Sequence, residues 1–503
     1  MENDMSQTAV QAPGGDVSVP FLERAEHGHF IDGQIVLTSA GRTFDARNPS
    51  NGDLLARVAQ GDEADIDRAV AAARAAFEGP WSEWTPYQRQ ALLYRLHDAI
   101  DRNWEELARI EALDMGQPIS RTRMGKAASL RMILFFAAQA ANIAGETLQN
   151  GMPGDVTTMT LKAPVGVIGG IIPWNGPLGS QWWILGAVLA TGCTAVLKPA
   201  EEASLSVLRV AELLHETGVP AGVINVVAGP GRVVGSHLAA HPDVDRIAFT
   251  GSTETGRKII EASKGTIKKL QLELGGKSPD IIFADADLDK AVPGATMGVF
   301  ANSGQICFAG TRVFVQRPIV EEFCKRVAEF VQTLKIGDSL DEEAVLGPLI
   351  SQKQLDQVMD YIKVGREEGA RLVTGGERIG GDLSDGFFVA PTVFADVRND
   401  MRIAQEEIFG PVMSIIPFDT VEEAIALGND IEYGLGGAVW SRDISTALKV
   451  VKGIHTGTMW VNCYGLIDPL VGFGGTKLSG YGAKGGKAHL DTYLYTKCVY
   501  ING

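Results

Sequence analysis

Cys307, Glu273 and Asn175 are residue types that together can carry out covalent chemistry on a carbonyl group. A soft thiolate attacks an electrophilic carbon, a carboxylate activates the water that later cleaves an acyl-thiol, and a side-chain amide stabilises the oxyanion formed on the way. Cys307 closes the stretch Asn302-Ser303-Gly304-Gln305-Ile306-Cys307, whose small residues permit a close backbone approach. A cysteine on its own is more often inert packing than a nucleophile. Glu273 interrupts the apolar run Leu272-Glu273-Leu274, where an unpaired carboxylate is costly to bury unless it has a task. Asn175 stands in Pro173-Trp174-Asn175-Gly176-Pro177, a composition that otherwise marks only a turn.

The elements that must position these groups alternate in type. Strand-like runs at 165–171, 194–197, 224–227, 247–250 and 270–274 are separated by helical patterns. The clearest of these has Val207, Val210, Ala211 and Leu214 on one face and stops at Gly218 and Pro220. Such alternation predicts a parallel sheet covered on both faces, with ligands at the carboxyl ends of its strands. After Gly275-Gly276 a second α/β pattern begins with residues 278–283 and continues through helices at 320–334 and 352–368 and a strand at 412–417. Cys307 belongs to this second half.

A chain of 503 residues, 45% of them hydrophobic, exceeds one ordinary core, so two or three domains are expected. A formal charge of −16 and a sequence pI near 5.1 argue against nucleic acid or an anionic membrane as partner. The five cysteines are dispersed, odd in number and without a Cys-x-x-Cys pair, which argues for free thiols in a reducing compartment. No zinc framework or other metal is expected from them. Residues 1–19 are polar, show no basic stretch leading into an apolar core, and read as a mobile tail (1–20) of a cytoplasmic protein. Residues 181–197 are apolar enough to suggest a membrane span, yet Pro173, Asn175, Gly176 and Pro177 break the uncharged stretch that contains them. They read as a buried helix and strand.

The three motifs stand in order with Phe30-Ile31-Asp32-Gly33, Lys198-Pro199-Ala200-Glu201, Gly251-Ser252-Thr253-Glu254-Thr255-Gly256, Glu406-Glu407-Ile408-Phe409-Gly410-Pro411 and Phe473-Gly474-Gly475-Thr476-Lys477. In this the chain resembles the aldehyde dehydrogenase superfamily over nearly its whole length. The resemblance implies an aldehyde-dehydrogenase-like α/β fold: a Rossmann-type NAD-binding domain at 21–144 and 163–274, an α/β catalytic domain at 275–480, and a small β oligomerisation element at 145–162 and 488–503. It implies NAD-dependent oxidation of a small-molecule aldehyde to the carboxylic acid, in a homodimer or homotetramer. Cys307 becomes the nucleophile, its backbone N–H and Asn175 the oxyanion donors, and Glu273 the base for thioester hydrolysis. Lys198 and Glu201 take the adenosine ribose, and the Glu201 carboxylate, which would repel a 2′-phosphate, favours NAD over NADP. Ser252, after Gly251, faces the pyrophosphate at a helix start. Glu407 holds the nicotinamide ribose and Phe409 packs near the nicotinamide, with Ile171, Pro173, Trp174, Gly231 and Leu274 completing the cofactor surface. Relatives that pass the acyl group to coenzyme A usually lack a glutamate at the position of Glu273. That activity, and a non-catalytic protein retaining the fold, are the alternatives.

Two departures from the family pattern matter. Many relatives carry a lysine nine residues after the asparagine and a glutamate in a Ser-Gly-x-Gly-Arg-Glu motif, on a proton path behind the base. Here those positions hold Ile184 and Lys484. Either Lys484 approaches Glu273 from the other side and favours its ionised form, or it faces solvent in a glycine-rich loop. Gly176 and Ile467 stand where relatives often place aromatic rings, leaving Trp183, Ile306, Phe308, Leu466 and Phe473 as pocket walls. A bulky apolar or aromatic aldehyde is therefore expected to be preferred over acetaldehyde.

Overall fold

The computed structural model describes residues 19–38, 41–482 and 484–503. The expected mobile tail lies outside them, apart from its last two residues. Five parallel strands carry one side of the site: Val167–Ile172, Thr194–Pro199, Ile224–Val226, Arg246–Thr250 and Lys269–Glu273. They pair in the spatial order third, second, first, fourth, fifth. The first three are buried almost throughout, as apolar strands covered by helices on both faces must be. Between the first and fourth strands the winding direction reverses, opening a crevice at their carboxyl ends. Asn175, Lys198, Gly251 and Glu273 all lie at that edge, each at or just beyond the end of its strand.

The sheet is wider than the sequence pattern suggests. His29–Ile31 and Gln34–Val36 extend it antiparallel at one edge. At the other, Gly480–Tyr481 returns from the far end of the chain to pair antiparallel with Lys269–Glu273. Residues 181–197 resolve into the wholly buried helix Trp182–Thr191 and the strand Thr194–Pro199, joined at Gly192 in a left-handed turn with φ 84°. Among the described residues no helix is long and apolar enough to cross a membrane. On the face that also carries Trp182–Thr191, the helix Pro86–Arg102 starts with a capping box between Thr85 and Gln88 and with Pro86 in its first turn.

The second sheet runs Arg371–Thr374, Thr392–Ala395, Val412–Phe418, Arg312–Gln316, Pro279–Ile282, Gly436–Trp440 and Thr458–Val461. Only its first pair is antiparallel. Cys307 precedes the Arg312–Gln316 strand and so faces the first sheet. A separate three-stranded sheet joins Leu494–Asn502 to Val156–Pro164 along its full length, with Thr147–Leu148 beyond. The tail strand has its partner within the same chain.

Candidate active site

The loop before Cys307 is bent by three consecutive left-handed residues, Asn302 (φ 55°), Ser303 (φ 54°) and Gly304 (φ 74°). Two of these carry side chains, so the surroundings must hold the strained turn in place. Ser303 Oγ donates to Gly347 O at 2.7 Å, and Gln117 Nε2 donates to Asn302 Oδ1 at 3.0 Å. Asn302 Nδ2 donates in turn to Asn175 O at 3.1 Å and Gln305 O at 3.3 Å. A Cβ on Gly304 would lie 2.1 Å from Gly410 O, so only glycine fits. Gln117 and Asn302 were not singled out from sequence. Their roles arise from contacts between distant segments, and only the Asn-Ser-Gly composition hinted at the turn.

Asn175 Nδ2 donates to Gln305 O at 2.8 Å, which draws the loop after the first strand onto the cysteine loop. Glu273 is 2% exposed, and its Oε1 has no hydrogen-bond partner among the described residues. Burial pushes its carboxyl up to about 7, opposed by the charge of Lys484. Burial likewise pushes the Cys307 thiol up to about 12, with Lys484 the principal opposing charge and Glu407 and Glu273 reinforcing the rise. The connection between the sheets passes directly beneath. A Cβ on Gly275 would sit 2.2 Å from Glu407 Oε2, and one on Gly276 would sit 2.3 Å from Cys307 O. Gly276 N–H donates to Glu407 Oε1 at 3.0 Å.

A groove for a dinucleotide continues from this point along the carboxyl edge of the first sheet. Lys198 is 4% exposed at its strand end, and burial lowers its pKa against the pull of Glu201 and Glu202. Glu201 Oε2 accepts from Gly231 N–H at 3.3 Å, and a Cβ on Gly231 would lie 3.9 Å from Lys198 Nζ. The three residues therefore converge. Ser252 caps the eleven-residue helix Thr253–Ser263, its Oγ accepting from Thr255 N–H at 3.2 Å, and a helix start of this kind suits an anion such as phosphate. Leu274 packs on Gly256 of that helix. At the other end Trp174 and Phe409 meet edge to face, with ring centroids 5.2 Å apart. Ile171 and Pro173, expected on the cofactor surface, line the cavity that also holds Trp183, Ile184 and Lys484. This donor set suits a dinucleotide: a buried cation and carboxylate for ribose, a helix start for pyrophosphate, and Glu407 for the second ribose.

A family model, the aldehyde dehydrogenase family, matches residues 36–499. The chain belongs to the aldehyde dehydrogenase family. It is 44% identical over 474 residues to an aldehyde dehydrogenase of Emericella nidulans, covering 94% of each chain. It is 42% identical over 472 residues to a mitochondrial benzaldehyde dehydrogenase of Antirrhinum majus, covering 93% of this chain and 88% of that protein. The NAD+ complex of an aldehyde dehydrogenase from Bacillus cereus superposes with a TM-score of 0.93 at 45% identity, over 96% of this chain and 97% of the other. The protein is an NAD-dependent aldehyde dehydrogenase of the corresponding α/β fold.

In this aldehyde dehydrogenase an aromatic wall flanks Cys307. Phe308 lies 5.6 Å from both Trp460 and Phe473, and Trp460 lies 4.9 Å from Tyr464, centroid to centroid. Trp460 Nε1 donates to Leu466 O at 2.9 Å and Tyr464 OH to Phe308 O at 2.7 Å, fixing the wall. Sequence reasoning found Phe308, Phe473 and Leu466 but not Trp460 or Tyr464, which approach from a strand end of the second sheet. Ile306 is half-buried beside Cys307; Leu466 is exposed and Ile467 borders on exposure. A Cβ on Gly176 would meet nothing within 4 Å. Trp183 stands apart from this wall, lining a cavity with Ile184, Thr250, Gln271 and Lys484. Lys484 Nζ donates to Thr250 Oγ1 at 2.8 Å, pointing inward.

Among the described residues Asp67, His237 and His241 bring ligand atoms within 4.8 Å of one another. Asp243 N–H donates to His241 Nδ1 at 3.1 Å, so a neutral His241 carries its proton on Nε2 and presents it to Asp67. A metal on that nitrogen would have to displace the proton and break the Asp243 bond.

Proposed function

We propose that this enzyme oxidises bulky apolar or aromatic aldehydes to carboxylic acids through a Cys307 thioester, with NAD preferred over NADP. The observation that carries the reading is the convergence of Cys307, Asn175 and the buried, unpartnered carboxylate oxygen of Glu273 around one glycine connection. Cys307 Sγ adds to the aldehyde carbon. Negative charge on the carbonyl oxygen falls to the Cys307 backbone N–H and to the Asn175 amide N–H that is not committed to Gln305. Bound in the groove, NAD supplies the two-electron oxidation that turns the thiohemiacetal into a thioester. Glu273 then takes a proton from the water that attacks the thioester carbon, and the C–S bond breaks with its electrons on Sγ, freeing the acid.

The substrate class is supported by the aromatic wall of Phe308, Trp460, Tyr464 and Phe473, by the open space at Gly176, and by the exposed apolar loop residues Leu466, Leu470 and Val471. NAD preference rests on the Glu201 carboxylate beside Lys198. The chain divides into a cofactor domain (21–144 and 163–274), a catalytic domain (275–480) and an oligomerisation element (145–162 and 488–503). The last leaves Tyr495, Leu161 and Ile501 exposed on one face of its sheet and Tyr500 and Leu148 exposed on the other, apolar surface that suits a second copy in a homodimer or homotetramer. Five free cysteines fit a reducing cytoplasm. The test is steady-state NAD reduction, with NADP in parallel, over aldehydes from acetaldehyde to bulky aromatic ones, with Cys307→Ala as control. Higher kcat/KM on acetaldehyde than on benzaldehyde would overturn the substrate assignment. Activity surviving in the control would overturn the nucleophile. Light scattering on the eluted protein reads the subunit count.

A further inference from the structure

We propose, resting on the reading of Cys307 and Glu273 given above, that Lys484 is the shared positioning cation of this site, holding Glu273 as carboxylate and favouring Cys307 as thiolate. Two backbone pairings fix it between base and nucleophile. Upstream, Gly480–Tyr481 pairs with the strand that ends in the base, Gly480 opposite Glu273, and Leu274 N–H donates to Ser479 O at 3.1 Å. The pairing is close enough that a Cβ on Gly480 (φ 102°) would lie 2.0 Å from Leu272 O. At Lys484 itself the chain exchanges both backbone hydrogen bonds with Phe473, each 2.6 Å, and Phe473 packs on Phe308 in the wall beside Cys307. Downstream, His489 Nε2 meets Trp183 O at 2.9 Å and ties helix Gly486–Asp491 to the cavity wall.

Held from these sides, the Lys484 ammonium enters the cavity that Ile184, Trp183, Thr250 and Gln271 line, and donates to Thr250 Oγ1. It acts by charge and not by a direct hydrogen bond: Nζ is committed to Thr250, the residue paired with Glu273 in the neighbouring strand, while Glu273 Oε1 keeps no hydrogen-bond partner among the described residues. The ionisable groups facing this centre are Glu273 from its strand, Cys307 from its loop and Glu407 from the cofactor side. Among the described residues Lys484 is the one cation that bears on both Glu273 and Cys307, whereas Glu407 has its own in Lys277. During hydrolysis the water oxygen bonds to the thioester carbon, its proton passes to Glu273, and the electron pair of the broken C–S bond goes to Sγ. The reacting carboxylate and the leaving thiolate are both anions, and a nearby ammonium favours each over its protonated form.

The test compares Lys484→Met and Lys484→Arg with the wild type. Iodoacetamide alkylation of Cys307, followed by mass spectrometry of its peptide across pH, reads the thiolate without any substrate. The pH profile of the deacylation rate reads the base. Lys484→Met is expected to move both midpoints upward by about one pH unit, while Lys484→Arg, which keeps the charge, stays near the wild type. Ile184→Lys added to Lys484→Met, returning a cation to another wall of the same cavity, is expected to bring the alkylation midpoint back down. Wild-type midpoints in Lys484→Met would overturn the proposal even if its rates fell, since a merely structural lysine would change rates without moving midpoints. A wild-type protein that oxidised no aldehyde would overturn the underlying functional reading instead, and the alkylation result would stand apart from it.

Discussion

Gly276→Ala is expected to lower kcat by about 30-fold, and the neighbouring Gly275→Ala to leave kcat nearly intact while raising the KM for NAD. The added methyl at 276 would stand 2.3 Å from Cys307 O, where real Cβ contacts essentially never fall below 3.0 Å, so at least about 0.7 Å must open. Neither side yields cheaply. Gly276 N–H is bonded to Glu407, and the Cys307 loop is anchored through Ser303, Asn302 and Gly304. Gly276 has negative φ, so alanine brings no backbone strain of its own. A misplacement of about 1 Å at a reacting centre costs about 10²-fold, which scales to roughly 30-fold here. The methyl at 275 instead meets Glu407 Oε2, the far end of a side chain that can rotate away. With Glu407 proposed to hold the nicotinamide ribose, its displacement is expected to raise the KM for NAD about tenfold. The assay is NADH formation at saturating aldehyde over a range of NAD, corrected for active sites by Cys307 alkylation and paired with a melting curve. Wild-type kcat in a folded Gly276→Ala enzyme, or a larger kcat loss at 275 than at 276, would refute the geometry.

Three further substitutions probe other parts of the site. Glu273→Gln should slow hydrolysis by about 10²–10⁴-fold while sparing acylation, giving a burst of one NADH per site followed by a stall; in the wild type the hydrolytic rate should rise with pH through about 7 as Glu273 ionises. A variant with no burst would remove Glu273 from the hydrolytic step. Glu201→Gln should raise the NADP-to-NAD ratio of kcat/KM about tenfold, corresponding to about 1.4 kcal/mol of repulsion relieved, and an unchanged ratio would clear Glu201 of that role. Asn302→Ala orphans Gln117 Nε2 and removes the tether to Asn175 O, so it should cost about 1–3 kcal/mol of stability along with kcat. An unchanged melting curve would show that the left-handed turn holds itself.

The parallel sheet was legible because its strands are unbroken apolar runs separated by helices of clean period, features that persist whatever the details of packing. The proposed catalytic residues Glu273 and Asn175 stood out because a carboxylate inside Leu272-Glu273-Leu274 and an asparagine between prolines conflict with their local settings. Gln117, Trp460 and Tyr464 conflict with nothing nearby. Each acquires its role only when a distant segment arrives, as when Gln117 meets Asn302 or Tyr464 OH reaches Phe308 O. Trp183, expected in the substrate wall, lines the Lys484 cavity, its ring 6.0 Å from that of His489. Lys484 could be read two ways because solvent or cavity depends on where a glycine-rich segment turns back. The exchange of backbone bonds with Phe473 decides that, and no local pattern encodes it.

The same burial that tunes Glu273 must cost the fold, and its sign can be worked out. Burial raises the folded-state pKa from 4.5 to about 7, so the charged form is disfavoured in the folded state. Below pH about 4.5 the group is protonated in both states and contributes nothing. As pH rises from there the unfolded chain ionises first, and stability falls until the folded-state carboxyl has also ionised above about 7. The full penalty is about 3.5 kcal/mol, from a displacement of roughly two and a half units at about 1.4 kcal/mol each. Glu273→Gln removes the ionisation while keeping the shape. Relative to the variant, the wild type should therefore lose about 2.5 kcal/mol between pH 5 and pH 8. Any pH-independent cost of burying the new amide cancels in that difference, as do the titrations of Glu111, Asp114, Asp280 and Glu407, which both proteins share. Denaturant midpoints for the pair at the two pH values test this. A gap that stays constant would mean that Glu273 ionises in the folded enzyme at the same pH as in the unfolded chain, and could not then be the base whose ionisation near pH 7 limits hydrolysis.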